Sequence, residues 1–84
     1  MYYFRNFYIL DHMMASIKSY VEEKAPVGNF LTAIICNDLK GAVEQADDEN
    51  IKNIPAFVEY FYNNTPMNCW GSKEKMEAWL KKKG

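Results

Sequence analysis

The side chains best suited to nucleophilic or metal chemistry are Cys36, Cys69 and His12. Cys69 stands in "NCWGS", just ahead of an expected helix start, where a thiolate is favoured. A cysteine nucleophile also needs a base, and the chain has one histidine. His12 is far from both cysteines in sequence and reads as a surface residue in a first helical turn. Three Cys and His residues fall short of the four that close a structural zinc site, and no C-x-x-C spacing occurs. The acidic run "DDEN" at 47–50 lacks the fixed ligand spacing and turn glycine of a hard-cation loop. There is no P-loop, no G-x-G-x-x-G and no H-E-x-x-H. No catalytic residue, metal or cofactor is therefore assigned, and the chain reads as a non-enzyme.

Two stretches have the chemistry of recognition instead. The first is "CNDLKG", where Asn37 and Asp38 interrupt an apolar helix. Ala33, Asn37 and Gly41 are four apart, a stripe that lets another backbone approach closely. Asn37 and Asp38 are candidate binding residues; the plainer reading is that they tie their helix to a neighbouring loop. The second stretch is "YFYNNTPMNCWGS", residues 60–72. Tyr60 and Asn63 share a helix face with Asn53 and Ala56, away from Phe57 and Phe61, and lead into Trp70 and Ser72. Aromatics with polar tips suit interfaces and stacking pockets, so these four residues complete the candidate binding set. Alternatively Trp70 caps the end of the bundle and Ser72 only caps a helix.

These residues must be positioned by one domain, residues 1–84, because 84 residues bury only about 60% of their unfolded surface. Apolar residues make up 49% and aromatics 15%, enough for a filled core with surplus for an interface. The net charge of −1 lacks the basic stripe that phosphate contacts require, which disfavours nucleic acid. The longest apolar run, "LTAIIC", is far shorter than a membrane span. "MYYFRNFYIL" has neither a basic n-region nor a small-residue cleavage site, so it does not read as a signal peptide.

Periodicity predicts an all-α chain, a bundle of about four helices with an extended or strand-like aromatic N-terminal arm over 1–10. Asp11 is placed as N-cap of a helix over 11–24, with Ile17, Tyr20 and Val21 inward. Asn29 caps a continuous helix over 30–46 that buries Leu31, Ile34, Ile35, Leu39, Ala42 and Val43. "DENIKN" makes a separate turn leading into a third helix, with Pro55 in its first turn and a core stripe of Ile54, Phe57, Val58 and Phe61. Ser72 caps a helix over 73–82 that turns Met76, Trp79 and Leu80 inward. Lys81, Lys82 and Lys83 complement its dipole. The arm looks like a lone strand, "YYFRNFYI", with no second strand-like run to pair with. Either the arm lies extended over its own helices, or it pairs with the arm of a second copy; the second option predicts a homodimer in which Tyr2, Tyr3, Phe4, Phe7 and Tyr8 form the interface.

From about Pro26 to Leu80 the sequence resembles a group of short proteins encoded in bacteriophages and prophages. "FLTAIICNDL", "ADDEN", "IPAFVEYFYN" and "CWGS" carry the likeness. The resemblance implies no catalytic activity. It implies an accessory protein of the bacterial cytoplasm that acts by stoichiometric binding, with a host defence protein as the expected target. A second class is a sponge for a signalling nucleotide, with aromatics stacking on the base and Arg5 or a lysine on phosphate. A third is a structural or regulatory oligomer. With too few ligands for zinc and two cysteines read as free thiols, neither a chelator nor a reductant should shift the thermal midpoint. Differential scanning fluorimetry checks this; a drop with EDTA or dithiothreitol would show a structural metal or disulfide.

Overall fold

The aromatic arm supplies its own partner strand. In the computed structural model, which describes residues 1–82, Tyr2–Phe4 (β1) and Phe7–Ile9 (β2) pair antiparallel. Tyr2 lies opposite Ile9, Tyr3 opposite Tyr8 and Phe4 opposite Phe7. Arg5 and Asn6 form the two-residue loop, with Arg5 in the left-handed region at φ 55°. The lone strand expected from the sequence is therefore a hairpin, and the need for a second copy to complete its ladder disappears. Glycine or asparagine usually takes the left-handed position of such a loop, and an arginine there hid the turn.

The rest is mainly helical: α1 (Asp11–Glu23), α2 (Asn29–Ile35), α3 (Leu39–Gln45), α4 (Asp48–Ile51), α5 (Ile54–Asn64), a 3₁₀ turn (Met67–Cys69) and α6 (Lys73–Lys81). The radius of gyration is 11.8 Å, close to the ~12 Å a compact chain of this length adopts. Helices α1, α5 and α6 follow the sequence reading. Ile17 and Tyr20 are buried on α1, Phe57 and Phe61 on α5, and Met76 and Trp79 on α6. Pro55 lies in the first turn of α5. The Ser72 hydroxyl accepts the Lys75 N–H at 3.1 Å at the start of α6. Lys83 lies outside the described residues.

The helix expected over 30–46 is two helices. Asn37 takes the left-handed conformation at φ 60°. The Asn37 N–H donates to the Ile34 carbonyl at 3.1 Å and the Asp38 N–H to the Ala33 carbonyl at 2.8 Å. This is a Schellman stop, with asparagine where glycine more often stands. The Asp38 carboxylate then accepts the Gly41 N–H at 3.0 Å and starts α3. The Ala33/Asn37/Gly41 stripe consequently does not exist, and Leu39 and Val43, expected in the core, are exposed. Val58 on α5 is exposed too, and Ile54 only half buried. Two caps also move. Leu10 and Gly28 occupy the N-cap positions expected for Asp11 and Asn29, and the Asp11 carboxylate bonds the Met1 amino group at 2.7 Å.

The core forms where β2, α1, α2, α5 and α6 converge, around Ile9, Ile17, Tyr20, Ile35, Phe57 and Phe61. Tyr20 is its polar pin. Its hydroxyl donates to the Cys69 carbonyl at 2.7 Å, and its own carbonyl accepts the Trp79 indole N–H at 3.2 Å. Burial pushes the Tyr20 phenol far above its usual range. A hydrogen bond to Glu59, with burial adding to it, raises that of Tyr2. Both raised values favour folding fully below the ordinary phenol value of about 10, and that contribution is lost as pH rises through them. Stability to urea should therefore hold up to about pH 9 and fall above about pH 10. Tyr20→Phe should cost about 1 kcal/mol at neutral pH and flatten the alkaline fall. An alkaline limb unchanged by Tyr20→Phe would show that Tyr20 is not its source.

Candidate functional site

The aromatic–polar face of α5 is occupied by the hairpin. Tyr60 stacks edge-on against Tyr2 with centroids 4.9 Å apart. The Tyr2 hydroxyl donates to the Glu59 carboxylate and the Tyr8 hydroxyl to that of Glu49. Asn53, expected on an outward face, is buried along with Ala56. Its Oδ1 accepts the Tyr8 N–H at 2.9 Å and its Nδ2 donates to the Glu49 carbonyl at 2.8 Å. The polar residues of this face thus clamp the arm to α4 and α5. Phe4 and Phe7 pack against the core, and Tyr3 stays exposed.

The other candidates separate in space and in role. Asn63 is exposed and donates to its own helix, to the Glu59 carbonyl at 3.3 Å and to the Glu59 carboxylate. Trp70 is half buried, tilted against Phe61 at 5.9 Å. The Gly71 N–H beside it donates to the Ile35 carbonyl at 2.7 Å and fastens the "CWGS" corner to the end of α2. Ser72 is a helix cap. Trp70 and Ser72 therefore hold the corner together. Asn37 and Asp38 shape the break before α3, and both are exposed.

Chemistry at the cysteines is weak. Cys69 is fully buried, and burial raises its thiol above the usual range. Cys36 is raised by burial as well, with Asp38 adding to the effect. Thiols held protonated at neutral pH are poor nucleophiles. Among the described residues no three His, Cys, Asp or Glu side chains gather as a metal site would require.

What the break in the chain creates is a surface. Leu39 is 70% exposed, Val43 44% and Val58 42%. Leu39 and Val43 are four apart on α3, as are Ile54, Val58 and Tyr62 on α5. Leu39 and Ala42 from α3 meet Ile54 and Val58 from α5 across a floor of Ala33 and Ile34 from α2, leaving a dimple of about 30 Å³. That is about the volume of one water in the liquid; Asn37 and Asp38 also reach its edge, but six of its eight lining residues are aliphatic, which suits a methyl group. Contiguous exposed apolar surface of this kind marks interaction sites. Sequence reasoning assigned Leu39 and Val43 to the core because it carried α2 through Asn37, and Val58 because it falls on the periodic stripe of Ile54, Phe57 and Phe61.

A second concavity of about 340 Å³ lies between the 3₁₀ turn and α6, lined by Asn68, Glu74, Lys75, Ala78, Trp79 and Lys82. Trp79 is poorly placed to stack on a ligand there. Its indole N–H is committed to Tyr20, and the ammonium groups of Lys24 and Lys82 stand 4.1 and 4.8 Å from its ring centre. Comparison with protein-family models, curated proteins and solved structures finds no match for this chain.

If Asn37 serves the break, Asn37→Gly should leave stability unchanged or slightly raised, since glycine takes the left-handed region freely. Asn37→Val should cost about 1–3 kcal/mol, and Asp38→Ala about 1 kcal/mol through the lost cap. Urea unfolding of the three variants checks this. Destabilisation by glycine as large as by valine would mean the Asn37 side chain has another structural role.

Proposed function

We propose that the chain is a non-enzymatic binding protein that engages a protein partner through the α3–α5 face. The partner class follows from the likeness to phage accessory proteins and is a bacterial defence protein, blocked stoichiometrically. The single observation that carries the reading is the exposure of Leu39 and Val43 on α3 and Val58 on α5, with Leu39 and Val58 flanking one small, mainly apolar dimple. A small domain with a thin stability margin gains nothing in folding from leaving such side chains in water. Their burial against a partner would contribute roughly 25 cal/mol per Å² of apolar area.

The nucleotide-sponge reading would use the groove at Lys75 and Lys82 instead. It is the weaker reading, because Trp79 is already spent within the fold.

The full chain, immobilised and exposed to bacterial lysate, should capture a defined partner. A Leu39→Ser/Val58→Ser variant should lose about tenfold or more in affinity for it, as truncation of central apolar contacts does. A Lys75→Ala/Lys82→Ala variant should retain it. A rise in melting temperature with cyclic or linear nucleotides, abolished by the lysine variant and untouched by the apolar one, would overturn the proposal in favour of the sponge.

A further inference from the structure

We infer that the occupant of the α3–α5 groove is a basic amphipathic helix of the partner. The inference rests on the binding role proposed above and specifies what that face accepts. It comes from the shape of the groove and from the charge around it.

The surface is shallow, with one dimple of about 30 Å³ where α3 and α5 meet over α2. Ala33 and Ile34 of α2 lie beneath it, Leu39 and Ala42 of α3 and Ile54 and Val58 of α5 flank it, and Asn37 and Asp38 complete the lining. Each wall presents apolar residues at four-residue spacing, which makes ridges that interdigitate with the i, i+3, i+4 and i+7 residues of a docked helix. Helix α3 has seven residues and α5 eleven, so the walls are roughly 10 and 16 Å long at 1.5 Å per residue. Apolar ridges of that length can meet about two to three turns of a docked helix. A β-strand is a poorer occupant, because the helical walls offer no free ladder of N–H and C=O groups.

The charge is asymmetric. The segment from Asp38 to Lys52, which forms α3 and leads to α5, carries five carboxylates and two lysines. Lys40 is paired with Glu44 at 2.8 Å, and Lys52 with Glu49 at 3.6 Å. Asp38, Asp47 and Asp48 are exposed and pair with no cation among the described residues. Asp38 starts α3, and Asp47 and Asp48 follow its end, so uncompensated negative charge brackets the apolar wall at both ends. The two capping aspartates satisfy a backbone N–H each. A helix with Lys or Arg flanking its apolar stripe meets apolar surface in the middle and carboxylates at the rim. That is the complementarity that sets orientation and association rate at an interface.

The test uses two synthetic amphipathic helices of about five turns, one of leucine and lysine, the other with glutamate for every lysine. Each is titrated against the full-length chain by fluorescence anisotropy near 0.15 M salt, where the screening length is about 8 Å. The basic peptide should bind at least about tenfold more tightly than the acidic one. Leu39→Ser/Val58→Ser should weaken it by about tenfold. Asp38→Asn/Asp47→Asn/Asp48→Asn should erase most of the preference for the basic peptide while leaving the helical circular dichroism intact, since asparagine caps as well as aspartate. Equal binding of the two peptides, both lost in the apolar variant, would overturn the basic-helix inference and leave the face itself standing. Binding of the basic peptide that ignores the apolar variant would overturn both. So would a groove already filled by a second copy, seen as a dimer in light scattering that the apolar variant dissolves.

Discussion

The structure turns on three residues, Cys36 to Asp38. A left-handed Asn37 closes α2 with two backbone hydrogen bonds, and the Asp38 carboxylate opens α3 one residue later. Were the helix continuous, Leu39 and Val43 would extend the buried stripe of Leu31, Ile34 and Ile35. The break re-aims α3, so that Ala42 alone among its residues is buried and the larger side chains turn to solvent. Gly41 is part of the same device. A Cβ there would stand 2.3 Å from the Asp38 carboxylate, so the cap requires the residue that helix propensity alone would reject.

The remaining polar groups work to hold the short elements around that break. Asn53 bonds β2 and α4 together at the entrance of α5. Tyr20 reaches from α1 to the 3₁₀ turn and receives the indole of α6. Gly71 returns the corner to the last turn of α2. Among the described residues no buried side-chain nitrogen or oxygen is left without a partner, which is what a small core needs when each orphan would cost about 1–3 kcal/mol. The contrast between a core with its polar groups satisfied and a groove with its apolar groups unsatisfied is what points to the groove as the working surface.

Much of the frame was legible in the sequence. Pro55, Ser72 and the stripe of Met76 and Trp79 announce α5 and α6 by ordinary start signals and periodicity, and "DENIKN" forms the short lead-in turn that its composition implies. The hairpin was hidden because Arg5 rather than glycine takes the left-handed position. The break at Asn37 was visible as poor helix residues, yet the apolar period runs through it without a change of phase, so periodicity favoured one helix over two. The candidate residues Tyr60 and Trp70 were found by type, but their partners, Tyr2 and Phe61, are set by tertiary contacts that no local pattern encodes. The exposed face was missed for the same reason: its residues look like core until the break is placed.

The most direct test of that account is the solvent exposure of individual methyl groups. With a soluble gadolinium chelate added to dilute, methyl-labelled protein, relaxation of the Leu39, Val43 and Val58 methyls should rise steeply, while those of Ile9, Ile17 and Ile35 stay protected. Leu39 and Val43 methyls as protected as that of Ile35 at the lowest measurable concentration would mean that the helix runs on through Asn37, and that the face does not exist.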